Sequence, residues 1–324
     1  MVCFGFQFEF GYLHNNVLII DGTFALCSNL NGFKQTYNWA TIFENQTDQI
    51  FTYIVVSCLL QNQSKTTYKS MICRINHLYT TYETSPAREE NFKPMAIKLD
   101  HECAVISYCI ERWPDIPIVT CKFHYIQQLR KRFVLIDKNY FLPSSPINNI
   151  WLTVKGCPYV PWHESTEEYD LVGLYFTKMN EMANGLSEDI QRKIMEFSIY
   201  LRQVYFESSL YGFMRGDHYR YFKHIHSDLT SNPVECQNHI QKDDLTSGKK
   251  TVADVAHILR YKKSVAYNAK MFAIKDDNFQ VRKKSTRDKW TRQWEVFVRF
   301  DQEPLYLQYE RLLMPFLLAM GELS

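Results

Sequence analysis

The sequence predicts an α/β fold in which a mixed sheet is flanked by helices and interrupted by an all-helical insertion. Strand-like and helix-like stretches alternate over residues 1–134 in the order β-β-β-α-β-α-β-α. Strand signals then vanish for roughly 95 residues, while helical spacing continues. A further helix begins near Pro233, beyond that insertion.

The elements follow from local chemistry. Residues 17–26, VLIIDGTFAL, read as a strand with Asp21 and Gly22 inside it. Residues 36–43 and 49–60 read as the next two strands, the second rich in Ile, Val, Tyr and Phe. Residues 64–79 carry Tyr68, Ile72 and Ile75 on one helical stripe. A buried strand is expected over 93–100, then a helix over 101–113 that Pro114 stops. A strand over 116–121 leads into a basic helix over 125–133. A loop rich in Pro and Asn is expected over 142–162. Ser165 and Glu168 frame a capping box that opens a helix, with Gly185 at its stop. A long helix is read over 187–214 and another over 252–273. The domain reading is therefore a core over 1–134, a helical insertion over 135–229, the rest of the core over 230–275, and a basic amphipathic tail over 276–324.

Composition narrows the function classes. Apolar residues make up 46% of the 324-residue chain, enough for a sizeable core. The 9 Cys are odd in number and scattered, so no secreted disulfide framework is read and a reducing intracellular compartment is expected. No apolar run approaches the roughly 20 residues of a membrane helix, so no membrane partner is expected. The net charge is +2, but residues 249–299 hold 14 Lys/Arg against 5 Asp/Glu, which points to a polyanion or to a solvated helical face. Lys262, Lys263, Arg282, Lys283 and Lys284 are the candidate DNA contacts, with Trp290 and Trp294 interleaved as base-stacking or core residues.

Three acids stand at the mouths of separate elements. Asp21 lies in the first strand, Asp100 ends the fourth, and Glu235 lies just inside a helix start. Carboxylates converging from rigid elements suit a two-metal site. Each also has a structural reading: Asp21-Gly22 as a turn, Asp100 as a helix cap, and Glu235 as the third residue of a helix that Asn232 caps.

The motifs resemble the Mutator-like (MULE) transposase domain, a DDE transposase family of eukaryotic DNA elements. Residues 19–24, IIDGTF, look like its first-acid motif. The stretch after Leu99 looks like its second block, with Asp100, Glu102, Ala104, Trp113-Pro114, Cys121, Phe123, His124 and Gln127. Residues 230–240, TSNPVECQNHI, look like its third block. The likeness spans about residues 17–240.

The resemblance implies a ribonuclease H-like fold with a helical insertion before the last catalytic acid. It implies that Asp21 and Asp100 sit side by side and that Glu235 is brought over on a helix. These three would be catalytic and would hold Mg²⁺ or Mn²⁺, as two ions. Glu102, Cys121, His124, Gln127 and Asn232 would support them. The activity implied is metal-dependent DNA cleavage and strand transfer on element ends and target DNA in the nucleus, with homo-oligomerisation left open. Cys121/His124 and Cys236/His239 lack zinc-finger spacing, so zinc is not expected. Family members usually carry an N-terminal zinc-binding recognition domain, and the 16 residues before the first strand hold no such array. The alternative reading is therefore a transposase-derived DNA-binding or interaction protein without catalysis.

Overall fold

The protein is described by a computed structural model, which defines residues 1–5, 7–23, 32–44, 50–82, 91–208, 210–225, 251–255, 257, 259, 284–303 and 311–324. The chain divides into two compact units. Met1–Cys121 with Thr230–Arg282 form the first, and Lys122–Leu229 with Lys283–Ser324 the second.

The first unit is built on a mixed six-stranded sheet, so the α/β class is observed. Its strands are β1 (Val2–Gly5), β2 (Val17–Thr23), β3 (Gln35–Glu44), β4 (Ile50–Leu60), β5 (Ala96–Leu99) and β6 (Ile118–Thr120). Their order is β1-β4-β3-β2-β5-β6. The β1–β4, β4–β3 and β3–β2 pairs are antiparallel, whereas β2–β5 and β5–β6 are parallel. The expected strands are present: β3 is one residue longer at each end than expected, β5 and β6 are shorter, and residues 24–26 of the first expected strand lie outside the described residues. Strand β1 was not expected: it has four residues and no alternation, and it exists through its pairing with β4.

Each sheet face is set by alternation along the strands. On one face, Tyr37 and Trp39 of β3 meet the rings of Tyr68 and Phe92. Tyr68 belongs to α1 (Lys65–Tyr82), which also buries Met71, Ile72, Ile75 and Tyr79 at helical spacing. On the other face, Ile19, Ala40 and Ile54 cluster, and Leu59 packs with Val255 and Leu259. Helix α2 (Cys103–Arg112) connects β5 to β6 and ends just before Pro114, which cannot continue it.

The second unit has helices and no strand among its described residues. It contains α3 (Lys122–Ile136), α4 (Asn148–Gly156), α5 (Leu171–Ala183), α6 (Glu188–Leu201), α7 (Asp217–Ile225), α8 (Lys284–Asp301) and α9 (Leu313–Glu322). Three expectations need correction here. The expected loop over 142–162 contains α4, which buries Ile150, Trp151 and Val154. Helix α5 starts later than the Ser165–Glu168 box, because Asp170 is the cap: its carboxylate accepts from the Gly173 amide at 2.8 Å. The helix read over 187–214 stops at Leu201, where a π turn, Arg202–Phe206, turns Tyr205 and Phe206 into an aromatic core with Tyr125, Trp162 and Phe213. Helices α4 and α9 approach closely through Gly156 and Gly321, where a Cβ would strike the backbone of Leu317 and Leu152. Trp294 of α8 packs with Phe222 and Phe297, so its ring serves the core.

Candidate metal centre

The parallel register between β2 and β5 positions the first two acids. Ile20 is the direct partner of Leu99. Asp21 follows Ile20 inside β2 and Asp100 is the first residue after β5, so the register carries both acids to the same end of adjacent strands. Neighbouring strands lie about 4.8 Å apart. Asp21 is almost fully buried and Asp100 is half-buried.

The same row extends along the sheet in both directions. Asp21 is the partner of Asn38 on β3, and Asn38 is the partner of Ser57 on β4. Ser57 donates to the Asn38 side-chain carbonyl at 2.6 Å. Toward the opposite edge, Leu99 pairs with Thr120, so Cys121 follows Asp100 in the row, and the Cys121 amide donates to the Leu99 carbonyl at 2.8 Å. A band of polar side chains thus crosses the face that also carries the Ile19, Ala40 and Ile54 cluster. Lys98 is also almost fully buried, two residues before Asp100 on the same face.

His124 enters from the first turn of α3, three residues after Cys121. One ligand atom each from Asp100, Cys121 and His124 lies within 4.8 Å of the others, close enough to share an ion. Cys121 is buried and His124 half-buried. Chain continuity from β6 into α3 sets this geometry. The donor chemistry fits a divalent cation in two ways. The carboxylate pair alone suits a hard ion such as Mg²⁺ or Mn²⁺. With a thiolate and an imidazole added, the set also suits a borderline ion such as Zn²⁺.

Glu102 faces a different set of partners. Tyr68 donates its hydroxyl to one Glu102 oxygen, and the Gln63 amide donates to the other at 3.1 Å. The Gln35 amide donates to the same Tyr68 hydroxyl at 2.9 Å. Burial pushes the Glu102 carboxyl above the usual range, Asp100 adds to that rise, and the hydrogen bonds from Tyr68 and Gln63 oppose it. Glu102 also occupies the N-cap position of α2, although its side chain makes no capping bond there.

Among the described residues, the structure therefore brings together Asp100, Cys121 and His124, and the β2–β5 register places Asp21 on the neighbouring strand. Gln127 lies exposed on α3, one turn beyond His124. Glu235, Asn232, Lys262, Lys263, Arg282 and Lys283, with Cys236 and His239, lie outside the described residues. So does the side chain of Lys284, whose backbone opens α8. Sequence reasoning did not single out Asn38, Ser57 or Lys98. The signal for them was a polar residue at an inward position of a strand, visible only once the inward face is known. No protein-family model matches the chain, and no curated protein sequence matches it. Among the described residues, no helix is long and apolar enough to cross a membrane.

Proposed function

We propose that this protein is a metal-dependent phosphodiester-processing enzyme acting on DNA, a DDE transposase of Mutator-like type on a ribonuclease H-like sheet. One observation carries the reading: the parallel register that pairs Ile20 with Leu99 brings Asp21 of β2 and Asp100, just past β5, to the same end of adjacent strands. Like charge on two neighbouring carboxylates is unfavourable, and a divalent cation held between them would remove that cost. The β-β-β-α-β-α-β order and the motif likeness at Asp21, Asp100 and Cys121–His124 support the same assignment.

A divalent ion held here would neutralise charge on a phosphodiester and favour in-line displacement by an oxygen nucleophile. The chain supplies the frame for it. Asp21 and Asp100 present oxygen ligands from two paired strands, so their spacing is fixed by backbone hydrogen bonds. Cys121 and His124 place ligand atoms within 4.8 Å of one from Asp100 and would add a thiolate and an imidazole to the set. Glu235 completes the acid set in this reading. DNA is cut at an element end, and the freed 3′-hydroxyl attacks target DNA.

The test is cleavage and strand transfer on a DNA substrate in Mg²⁺ or Mn²⁺. Asp21→Asn, Asp100→Asn and Glu235→Gln are each expected to abolish both reactions while circular dichroism stays native. Turnover near the native rate in any of these variants removes that residue from the site.

A further inference from the structure

We infer that the outer ridge of α3 is a contact surface for the backbone phosphates of duplex DNA. This deepens the phosphodiester reading above by placing the partner on a named element. Helix α3 contains no acid from Lys122 to Ile136. It buries Tyr125, Leu129 and Phe133 on one side. Gln127, Arg130, Lys131 and Val134 stand at i, i+3, i+4 and i+7 on the opposite side, and all four are exposed. Lys138, also exposed, continues the line just past the helix end. Asp137 is the nearest acid in sequence, and its carboxylate is engaged by the Asn139 amide at 2.9 Å and the Ser145 hydroxyl at 2.7 Å.

Helix α6 of the same unit shows what a solvated charged face looks like. There Arg192 is paired with Asp189 at 2.7 Å and with Glu196 at 2.9 Å, and Lys193 with Asp189 at 2.7 Å. No described acid pairs with Arg130, Lys131 or Lys138. At the flank of the ridge, the Arg132 guanidinium lies 3.5 Å from the centre of the Tyr200 ring, which holds it in place without neutralising it. Arg132 and Leu135 also line a groove of about 230 Å³ with Arg192 and Phe197.

The position matters as much as the charge. Arg130 lies six residues from His124 on the same helix, a rise of about 9 Å. Duplex DNA carries one charge per roughly 1.7 Å of axis, so the ridge from Arg130 to Lys138 reaches several phosphates. A duplex seated on it is held by the helix whose first turn also carries His124.

The experiment measures binding of the full chain to a labelled duplex of arbitrary sequence, in EDTA, as a function of salt. EDTA separates this inference from the metal-dependent reading, which is judged by cleavage in Mg²⁺. The triple variant Arg130→Gln, Lys131→Gln, Lys138→Gln is expected to bind at least about tenfold more weakly and to flatten the log K against log salt slope by 2 to 3, at about 0.9 per phosphate. Arg192→Gln with Lys193→Gln, whose charges are already paired, is expected to bind as the native chain does. Native affinity and slope in the triple variant overturn the inference, whatever the cleavage assay shows. So does equal weakening by the α6 pair, or tighter binding of an RNA duplex of the same length.

Discussion

The hydroxyl of Tyr68 joins Gln35 to Glu102: it accepts from the Gln35 amide and donates to the Glu102 carboxylate. Gln35 sits at the start of β3, Tyr68 on α1, and Glu102 at the mouth of β5. Three elements far apart in sequence are therefore tied by one phenol. Gln35 is fully buried and has no solvent to fall back on, whereas Glu102 is half-buried and also accepts from Gln63. Tyr68→Phe is expected to destabilise the protein by about 1–3 kcal/mol in urea unfolding, because it takes the acceptor from the buried Gln35 amide and one donor from the Glu102 carboxylate. A loss under about 0.5 kcal/mol would show that water replaces the hydroxyl at little cost.

The glycine contact between α4 and α9 gives a second expectation. A Cβ on Gly156 would lie 2.5 Å from the Leu317 carbonyl oxygen, and one on Gly321 closer still to that of Leu152. Backbone cannot yield as a flexible side chain does. Gly156→Ala and Gly321→Ala are each expected to lower stability by about 1–3 kcal/mol or more, although alanine is the better helix former. Thermal unfolding of the two variants decides it, and a rise in Tm for either would mean that the helices do not pack this closely.

Lys155 carries a pH signature. Burial lowers its ammonium from 10.5 to about 8, with Lys289 adding to the shift and Glu322 opposing it. In the unfolded chain the amine keeps its proton to higher pH. Between pH 8 and 10.5 the unfolded state thus binds more protons, and stability from this group rises with pH. Unfolding free energies of the native chain and of Lys155→Met are expected to converge or cross in the native chain's favour across that window. Parallel curves would mean that the amine stays solvated.

Cys3 and Cys58 are direct partners in the β1–β4 pair, and the Cys58 thiol donates to the Cys3 sulfur at 3.1 Å. That contact lowers the Cys3 thiol below its ordinary range, whereas burial raises Cys58. Glutathione disulfide is expected to convert the pair to a disulfide through a mixed intermediate on Cys3. Two thiol protons are lost, and two reduced glutathiones leave. Non-reducing peptide mapping should show a Cys3–Cys58 link that Cys3→Ser abolishes. A stable glutathione adduct on Cys3 with Cys58 still reduced would count against it.

The sequence made the sheet legible where β-branched and aromatic residues run together, as in β2 and β4. It hid α4, whose Ile150, Trp151 and Val154 keep helical spacing but lie between Pro146 and Pro158. It also hid β1, which depends on its partner strand. The site divides in the same way. The spacing of Cys121 and His124 is local, so their meeting could be read from three residues of chain. The adjacency of Asp21 and Asp100 depends on strand order, which no local pattern encodes, and it was expected through family likeness alone. The bond from Tyr68 to Glu102 spans 34 residues and two elements, so no periodicity announced it.

The parallel pairing of β2 with β5 also orders events in time. Strands β2, β3 and β4 are antiparallel and consecutive in sequence, so their pairing closes little chain. Asp21 and Asp100 are 79 residues apart and meet only when β5 docks beside β2, after α1 has crossed the sheet. Loop closure over that separation is slow relative to hairpin formation. The carboxylate pair is therefore assembled late in folding. A nascent or partly folded chain carries both acids without the place that they make together, and on the proposed reading affinity for a divalent ion would report the docking of β5 rather than secondary structure.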